Sequence, residues 1–242
     1  YDSVREYPAD VVIDYFTRGL FFRGVRRVIG GTNEVVHRLT RDVERIFTGT
    51  HVKRVLQKSN FLEVILDDGV IHSFDHVVIA TAANHARALL GEEHHREKEV
   101  LAKFPYEKSR VVMHKDPALA PKDPSSWAPV NFLTRTGSDK PMATIWMNKG
   151  QGALRHEIPI FQSWNPLIEP QEDLLLAEAT FERPVVTRDS KGAIEELSCL
   201  HSMPQRRLWF SGSYAQYGIP LLEAAVVSSS EIGQVLGVVP PW

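Results

Sequence analysis

Apolar positions recur along this chain with two different spacings. In "PADVVIDYFTRG" (8–19), Val11, Val12, Tyr15 and Phe16 share one helical face, with Pro8 at the start and Gly19 as a stop. "GGTNEVVHRLTRDVERIF" (30–47) repeats the pattern: Thr32 is placed to cap, and Val35, Val36, Leu39, Val43 and Ile46 form the stripe. Strand-like runs follow in "HVKRVLQ", "FLEVILDDG" and "HVVIATAA", and the Asp-Asp-Gly at 67–69 reads as a hairpin turn. "HVVIA" (76–80) is apolar without alternation, as expected of a strand buried on both faces. Asn84 then caps a short helix, and "EEHHREKEVLAKF" reads as another.

The middle of the chain changes character. "SRVVMHKD", "WAPVNFLT", "PMATIWMNK" and "IPIFQSW" are four strands separated by Pro- and Gly-bearing loops, the spacing of a mainly antiparallel sheet. "KDPALAPKDPSSW" between the first two is too rich in proline for helix or strand. The tail returns to alternating strand and helix with "EATFERPVV", a helix around Gly192–Leu200, and the unit "RRLWFSGSYAQYGIPLLEAAVVSSSEIGQVLG".

Composition narrows the classes. A chain of 242 residues, 43% hydrophobic and with formal charge -2, can bury a substantial core and carries no basic footprint for nucleic acid. No apolar run approaches the roughly 18–20 residues of a membrane span. The first ten residues are not a signal peptide. The lone Cys199 rules out an internal disulfide framework, so a soluble, cytoplasmic protein is expected.

Most candidate motifs have a plain structural reading. "GQGALR" (150–155) half-matches a dinucleotide glycine fingerprint, but Arg155 stands at the third glycine and Pro159 would stop the helix; a hairpin turn fits better. His94 and His95 sit in a charged run, and His72 and His76 lack metal-ligand spacing, so no metal is expected. "SGS" (211–213) is no nucleophile elbow. The C-terminal unit is different: an apolar strand leads to Gly212, where backbone can approach a ligand, and Pro220 sits near the first turn of a long helix. A helix N-terminus with free N–H groups suits an anionic or electron-rich group.

"LWFSGSY…GIPLLEAAVVSS" resembles the C-terminal flavin-binding signature of the FAD-dependent amine-oxidase-like flavoproteins. In that family a strand ends Phe-x-Gly-Glu and a helix opens Met-Glu-Gly-Ala-Val-x-Ser-Gly. Leu222, Glu223, Ala224, Ala225, Val226, Ser228 and Ser229 follow the second pattern in order; Ala224 and Ser229 replace glycines and Ser213 replaces the acid. "GGTNEVVHRL" is similar to the family's Gly-Gly-x-x-x-Leu helix start, and "THVKRVLQ" with "FDHVVIATAANHARALL" is similar to its segment beside adenine and pyrophosphate. "VVMHKDPALAPKDPSSWAPVNF" and "ATIWMNKGQG" look closest to a branch described as predicted NAD/FAD-binding proteins, part of it associated with fatty-acid modification.

The resemblance implies a mixed α/β (α+β) fold: a partial Rossmann-like FAD-binding domain, 1–105 interleaved with 178–242 and helical over 1–30, plus an antiparallel substrate sheet, 106–177. It implies an oxidoreductase passing hydride from an organic or lipid-like substrate to flavin N5, present here as the C-terminal portion. The family's N-terminal G-x-G-x-x-G unit has no counterpart, so FAD is expected to bind weakly or not at all to this chain alone. Val52 would touch adenine, Thr81 and Ala82 the pyrophosphate, Gly212 and Ser213 the ribityl chain, and the Leu222 N–H flavin O2. Tyr106, Trp146 and Tyr217 would wall the substrate, and Lys149, His114 or Tyr217 would act beside the flavin, although each also reads as ordinary packing or surface. Two alternatives remain: a non-catalytic accessory or remnant subunit that binds a partner chain or the missing segment, and a nicotinamide-only oxidoreductase resting on "GQGALR".

Overall fold

The long apolar runs become strands and the 3.6-residue stripes become helices, in two separate units. The computed structural model describes residues 7–20, 28, 30–136, 141–155 and 158–238. One unit is Tyr106–Val185; the other combines Glu6–Pro105 with Val186–Trp242. Of the helical segment expected over 1–30, residues 1–6, 21–27 and 29 lie outside the described residues.

The discontinuous unit opens with α1 (Ala9–Asp14), which buries Val11 and runs on as a π-helical stretch over Tyr15–Leu20. Helix α2 (Gly31–Thr40) is capped by Gly30 in the left-handed conformation, φ 90°, and not by Thr32; it stops before Val43 and Ile46 and buries no residue. A meander follows: β1 (Val52–Gln57), β2 (Leu62–Leu66) and β3 (Ile71–Phe74), antiparallel in that order. The turn at 67–69 forms as expected, with the Val70 N–H donating to Asp68 Oδ1 at 3.0 Å. Strand β4 (Val77–Ile79) then leads to α3 (Ala83–Leu89) and α4 (His95–Ala102). The cap of α3 is Ala82, not Asn84, and it makes no side-chain hydrogen bond.

The contiguous unit is a five-stranded sheet. Its strands are β5 (Tyr106–His114), β6 (Val130–Leu133), β7 (Met142–Trp146), β8 (Phe161–Trp164) and β9 (Leu175–Pro184), in the order β6-β7-β8-β5-β9, and every pair is antiparallel. Strand β9 pairs with β5 from Leu175 to Pro184, so "EATFERPVV" belongs to this sheet and not to the returning α/β tail. The β5/β9 ladder has one register shift, between Met113 and His114, and β9 runs to Pro184 within the sheet unit. "GQGALR" joins the neighbours β7 and β8 through a short helix, α5 (Met147–Gly150), and a 3-10 turn over Gly152–Leu154, in place of a simple hairpin turn. Val112, Leu119 and Met142 form the buried centre, with Leu167 and Leu175 against it.

The chain then re-enters the first unit with α6 (Ser190–His201), β10 (Leu208–Phe210) and α7 (Leu222–Val235). Strands β10 and β4 pair in parallel, Leu208 opposite Val77, Trp209 opposite Val78 and Phe210 opposite Ile79. Those two unalternating apolar runs are thus neighbours, with all three residues of β10 buried. The core around them draws on Leu101, Phe104, Leu197, Leu200 and Ile232.

Candidate functional site

Parallel pairing brings the exits of both strands to one end, where ligands of open α/β sheets bind. β4 leads into Thr81 and Ala82 and β10 into Gly212 and Ser213, and the Ser211 N–H donates to Ile79 O at 3.0 Å, extending the pair by one residue. Helix α7 is fastened to this end by hydroxyls. Ser211 Oγ lies 3.0 Å from Ser228 Oγ and 2.7 Å from Ser229 Oγ, and the Gly212 N–H donates to Ser228 Oγ at 3.1 Å.

Two features decide how well an electron-rich cofactor edge fits here. At the start of α7 the cap residue, Leu221, is extended and offers no side-chain acceptor. Leu222 is 76% exposed and opens the helix, so the first-turn N–H groups and the positive dipole end are open to a ligand. Glu223 stands in that same turn. Pro220 lies just outside the cap, one position before Leu221. Gly212 is the opposite case. Its N–H is already held by Ser228, and a Cβ there would meet the Tyr214 ring at 2.7 Å, so the chain's own tyrosine requires this glycine. The start of α7 suits the edge of a flavin ring, whereas the Gly212 N–H does not.

The other expected contacts are scattered. Thr81 is exposed and its hydroxyl donates to Ala82 O at 3.3 Å. Val52 opens β1 in the meander, which meets the end of α3 through the Val55–Leu90 bridge, away from the two strand exits in sequence and in sheet. Tyr217 lies in the loop before α7, and its hydroxyl donates to the Asp10 carboxylate at 3.1 and 3.2 Å. Burial first, then Asp10, raises the phenol above its ordinary pKa, so it stays protonated near neutrality.

Tyr106, His114, Trp146 and Lys149 belong to the sheet unit. His114 is fully buried; its Nε2 lies 2.9 Å from Ser163 Oγ, and burial pushes its pKa down despite nearby Asp116. It is enclosed within the sheet unit, with Ser163 as its hydrogen-bond partner. Lys149 is exposed and sits over the Trp146 ring, 5.3 Å from its centroid. The Trp146 ring packs edge-on against Trp127 at 5.3 Å, and its buried Nε1 has no acceptor among the described residues.

Sequence reasoning missed one buried cluster. Arg206 Nη1 donates to Glu97 Oε1 at 2.6 Å, Arg206 Nε donates to Leu208 O, and His94 Nδ1 lies 3.9 Å from Glu97 Oε2. The pair is 109 residues apart, and no local spacing marks it. Among the described residues no group of three or more His, Cys, Asp or Glu could hold a metal ion, and no helix is long and apolar enough to cross a membrane.

Comparison with known proteins bears on the fold. Residues 6–114 match the family model of flavin containing amine oxidoreductases, so the resemblance read from the sequence holds over that stretch. No curated protein gives a significant match. Among solved structures, the chain resembles a protein assigned as a protoporphyrinogen oxidase in Exiguobacterium sp. 255-15, with 13% identity, a TM-score of 0.60 and 94% of this chain covering 57% of the other. It also resembles a fatty acid isomerase of P. acnes that produces CLA, with 12% identity, a TM-score of 0.59 and coverage of 86% and 52%. A reduced UDP-galactopyranose mutase follows, with 13% identity, a TM-score of 0.52 and coverage of 86% and 52%. These likenesses establish the fold, and the chain spans about half the length of each structure.

Proposed function

Taking the flavin-containing amine oxidoreductase pattern of residues 6–114 as premise, we propose that the chain is the C-terminal portion of an FAD-dependent oxidoreductase acting on an organic substrate. The observation that carries this reading is the parallel β4/β10 pair, whose exits lie at one end and are fastened through Ser228 and Ser229 to α7, a helix whose start has no side-chain cap. When bound, FAD supplies two-electron oxidation of the substrate by accepting hydride at N5. Leu222 would hold the ring edge through its N–H and the α7 dipole. Thr81, Ala82 and Ser213 would line the cofactor's path, Gly212 would let it pass close, and Val52 would lie toward the adenine. Within the α/β unit Tyr217 is proposed to act on the substrate; within the sheet unit, taken by itself, Lys149, Tyr106 and Trp146 are proposed as substrate-facing groups.

The free edge of β4 bears on completeness. Among the described residues β4 pairs only with β10, and Val78 is 44% exposed in a strand of a kind normally buried on both faces. A glycine-rich βαβ segment, in the same protein or a partner chain, would cover that edge and supply the pyrophosphate donors. A non-catalytic accessory role is favoured by one observation: Ser228 and Ser229 close the strand exit with the chain's own hydroxyls, and Ser229 stands where the family has glycine.

The test is a flavin titration followed by visible absorbance. The chain alone should bind FAD weakly or not at all, and should gain flavin bands once such a segment is fused or added; stoichiometric FAD on the chain alone would refute the incomplete-site reading. Variants at Leu222 then locate the seat. Leu222→Pro removes the donor at the first helical position, which tolerates proline, and the extended Leu221 before it suits a following proline. It should weaken FAD by about 1.5–3 kcal/mol, as for a hydrogen bond to a charged group, whereas Leu222→Ala leaves affinity nearly unchanged. Equal affinities in two folded variants would make this helix core only.

A further inference from the structure

The five-stranded sheet ends on β6, with four residues, and on β9, with ten. Strand β9 pairs with β5 on one side and, among the described residues, with no strand on the other. Every residue from Leu176 to Phe181 is exposed, with Leu176 at 45% and Phe181 at 47%. An open edge of this length is a template for a further strand.

Hydrogen bonds of β5 fix which backbone groups that edge offers. The Asn165 N–H, just past β8, donates to Arg110 O at 2.8 Å, so the backbone of Arg110 points away from β9. Successive residues of a strand point their backbone groups in opposite directions, so Val111 bonds toward β9, where it meets Ala179. Thr180, opposite Arg110, therefore turns its N–H and C=O outward, and Glu178 and Glu182 do the same. Both acids have a cation in their own chain: Arg110 Nε donates to Glu178 at 2.8 Å, and Lys108 lies 3.5 Å from Glu182.

We propose that this edge is a dimer interface, on which a second copy of the chain adds its own β9 antiparallel with Ala179 on the two-fold axis. A ladder forms only where outward residues face outward residues. Centred on Ala179, Glu178 faces Thr180 of the other copy, a carboxylate against a hydroxyl donor. On the opposite face Ala177 meets Phe181 of the other copy, small against large. Centred on Thr180, Glu178 would face Glu182 of the other copy, and directly opposed like charges are unfavourable. Centred on Phe181, Glu178 would face Pro184 of the other copy, which has no N–H to donate. None of this depends on the flavin reading.

Sedimentation of the 242-residue chain, from low micromolar to near millimolar concentration, tests the interface. A monomer–dimer equilibrium is expected, and a weak one, because a single strand pair buries less than a standard interface. Ala179 is exposed and would face its own copy, so a charge there opposes itself. Ala179→Glu and Ala179→Lys should each weaken self-association about five-fold or more, and mixing the two variants should restore pairing. Thr180→Pro deletes an outward N–H at an edge position that tolerates proline, so it should abolish the dimer and leave the sheet folded. A chain that stays monomeric over the whole range would overturn the proposal. So would a dimer untouched by Thr180→Pro, or a mixture of the Ala179 variants that pairs no better than either alone.

Discussion

The two units handle their polar groups in opposite ways. In the sheet unit β5 is nine residues long and paired along both edges. Its interior holds a directed chain: Thr144 Oγ1–H donates to Leu119 O at 2.8 Å, so Thr144 accepts from Ser163 at 2.7 Å, and Ser163 in turn accepts from His114 Nε2–H at 2.9 Å. In the other unit β4 is three residues long, paired on one edge, with Val78 and Leu222 turned to solvent. Antiparallel strands close their ladders with local neighbours, whereas a parallel pair needs further strands and covering layers. The sheet closes its strand ladders with its own residues, leaving His114 Nδ1 and Trp146 Nε1 buried without a partner among the described residues. The α/β unit keeps open the positions where a ligand or another segment can add.

That contrast predicts where stability can be broken. The largest effect should come from Glu97→Ala. Side chains of Arg206 and Glu97 are 8% and 12% exposed, and Arg206 Nη2 is buried with no acceptor among the described residues. Removing the carboxylate leaves a buried cation unpaired, costing about 3–5 kcal/mol. In urea, followed by residue-resolved amide signals, the α/β unit should unfold markedly earlier while the sheet keeps its midpoint. A loss shared equally by both units would erase the distinction between them.

Acid should weaken the α/β unit next, through His201. His201 has a folded pKa of about 4 against an unfolded value of about 6.5, so between those values the unfolded chain binds more protons. Stability of the α/β unit therefore rises with pH across that window, and is lost as pH falls from about 6.5 toward 4. With partial water access considered, the change is about 2 kcal/mol. Denaturant midpoints at pH 4.5 and 7.5 measure it, and His201→Gln should flatten the profile. His94 and His114 are also held below their ordinary pKa by burial, so the substitution isolates the share of His201.

Thr144→Val tests the hydrogen-bonded chain inside the sheet. The replacement keeps the shape but leaves Leu119 O without its donor and the Ser163 hydroxyl without its acceptor. The expected loss is about 1–2 kcal/mol, confined to the sheet unit. A Thr144→Val, Ser163→Ala double variant should recover part of it, because the orphaned hydroxyl is then gone.

The same contrast explains what could be read from the residues. β4 and β10 were legible because "HVVIA" and "LWF" are apolar without alternation, the mark of strands covered on both faces. The antiparallel strands were legible from turn residues at regular spacing. β9 was misplaced because it carries no local sign of which sheet it joins; its pairing with β5 crosses some 70 residues of intervening chain, on the order of any long-range ladder. Thr32 and Asn84 looked like caps by type, but backbone conformation chose Gly30 and Ala82. At the candidate site, the open start of α7 followed from Pro220 and the helix pattern. The Ser228 bond to Gly212, the Arg206–Glu97 pair and the His201 tautomer are tertiary contacts, and no motif spacing encodes them.

The smallest effect should come from the most conspicuous ion cluster. Arg110 grips Glu178 with Nε and Nη2 at 2.8 and 2.9 Å, and its Nη1 reaches Glu169 at 2.7 Å. Hydrogen bonds donated to Glu178 and Glu169 raise the guanidinium pKa, and Arg110 lowers both carboxylates. These groups lie in water on the outside of the sheet, with Glu169 69% and Glu178 44% exposed. Exposed pairs gain little because water and salt screen them and ordering the side chains opposes them. Arg110→Met should shift the melting temperature by no more than about 2 °C, in either direction, and less at high salt. A much larger, salt-insensitive loss would mean that the sheet, like the α/β unit, depends on charges shielded from water.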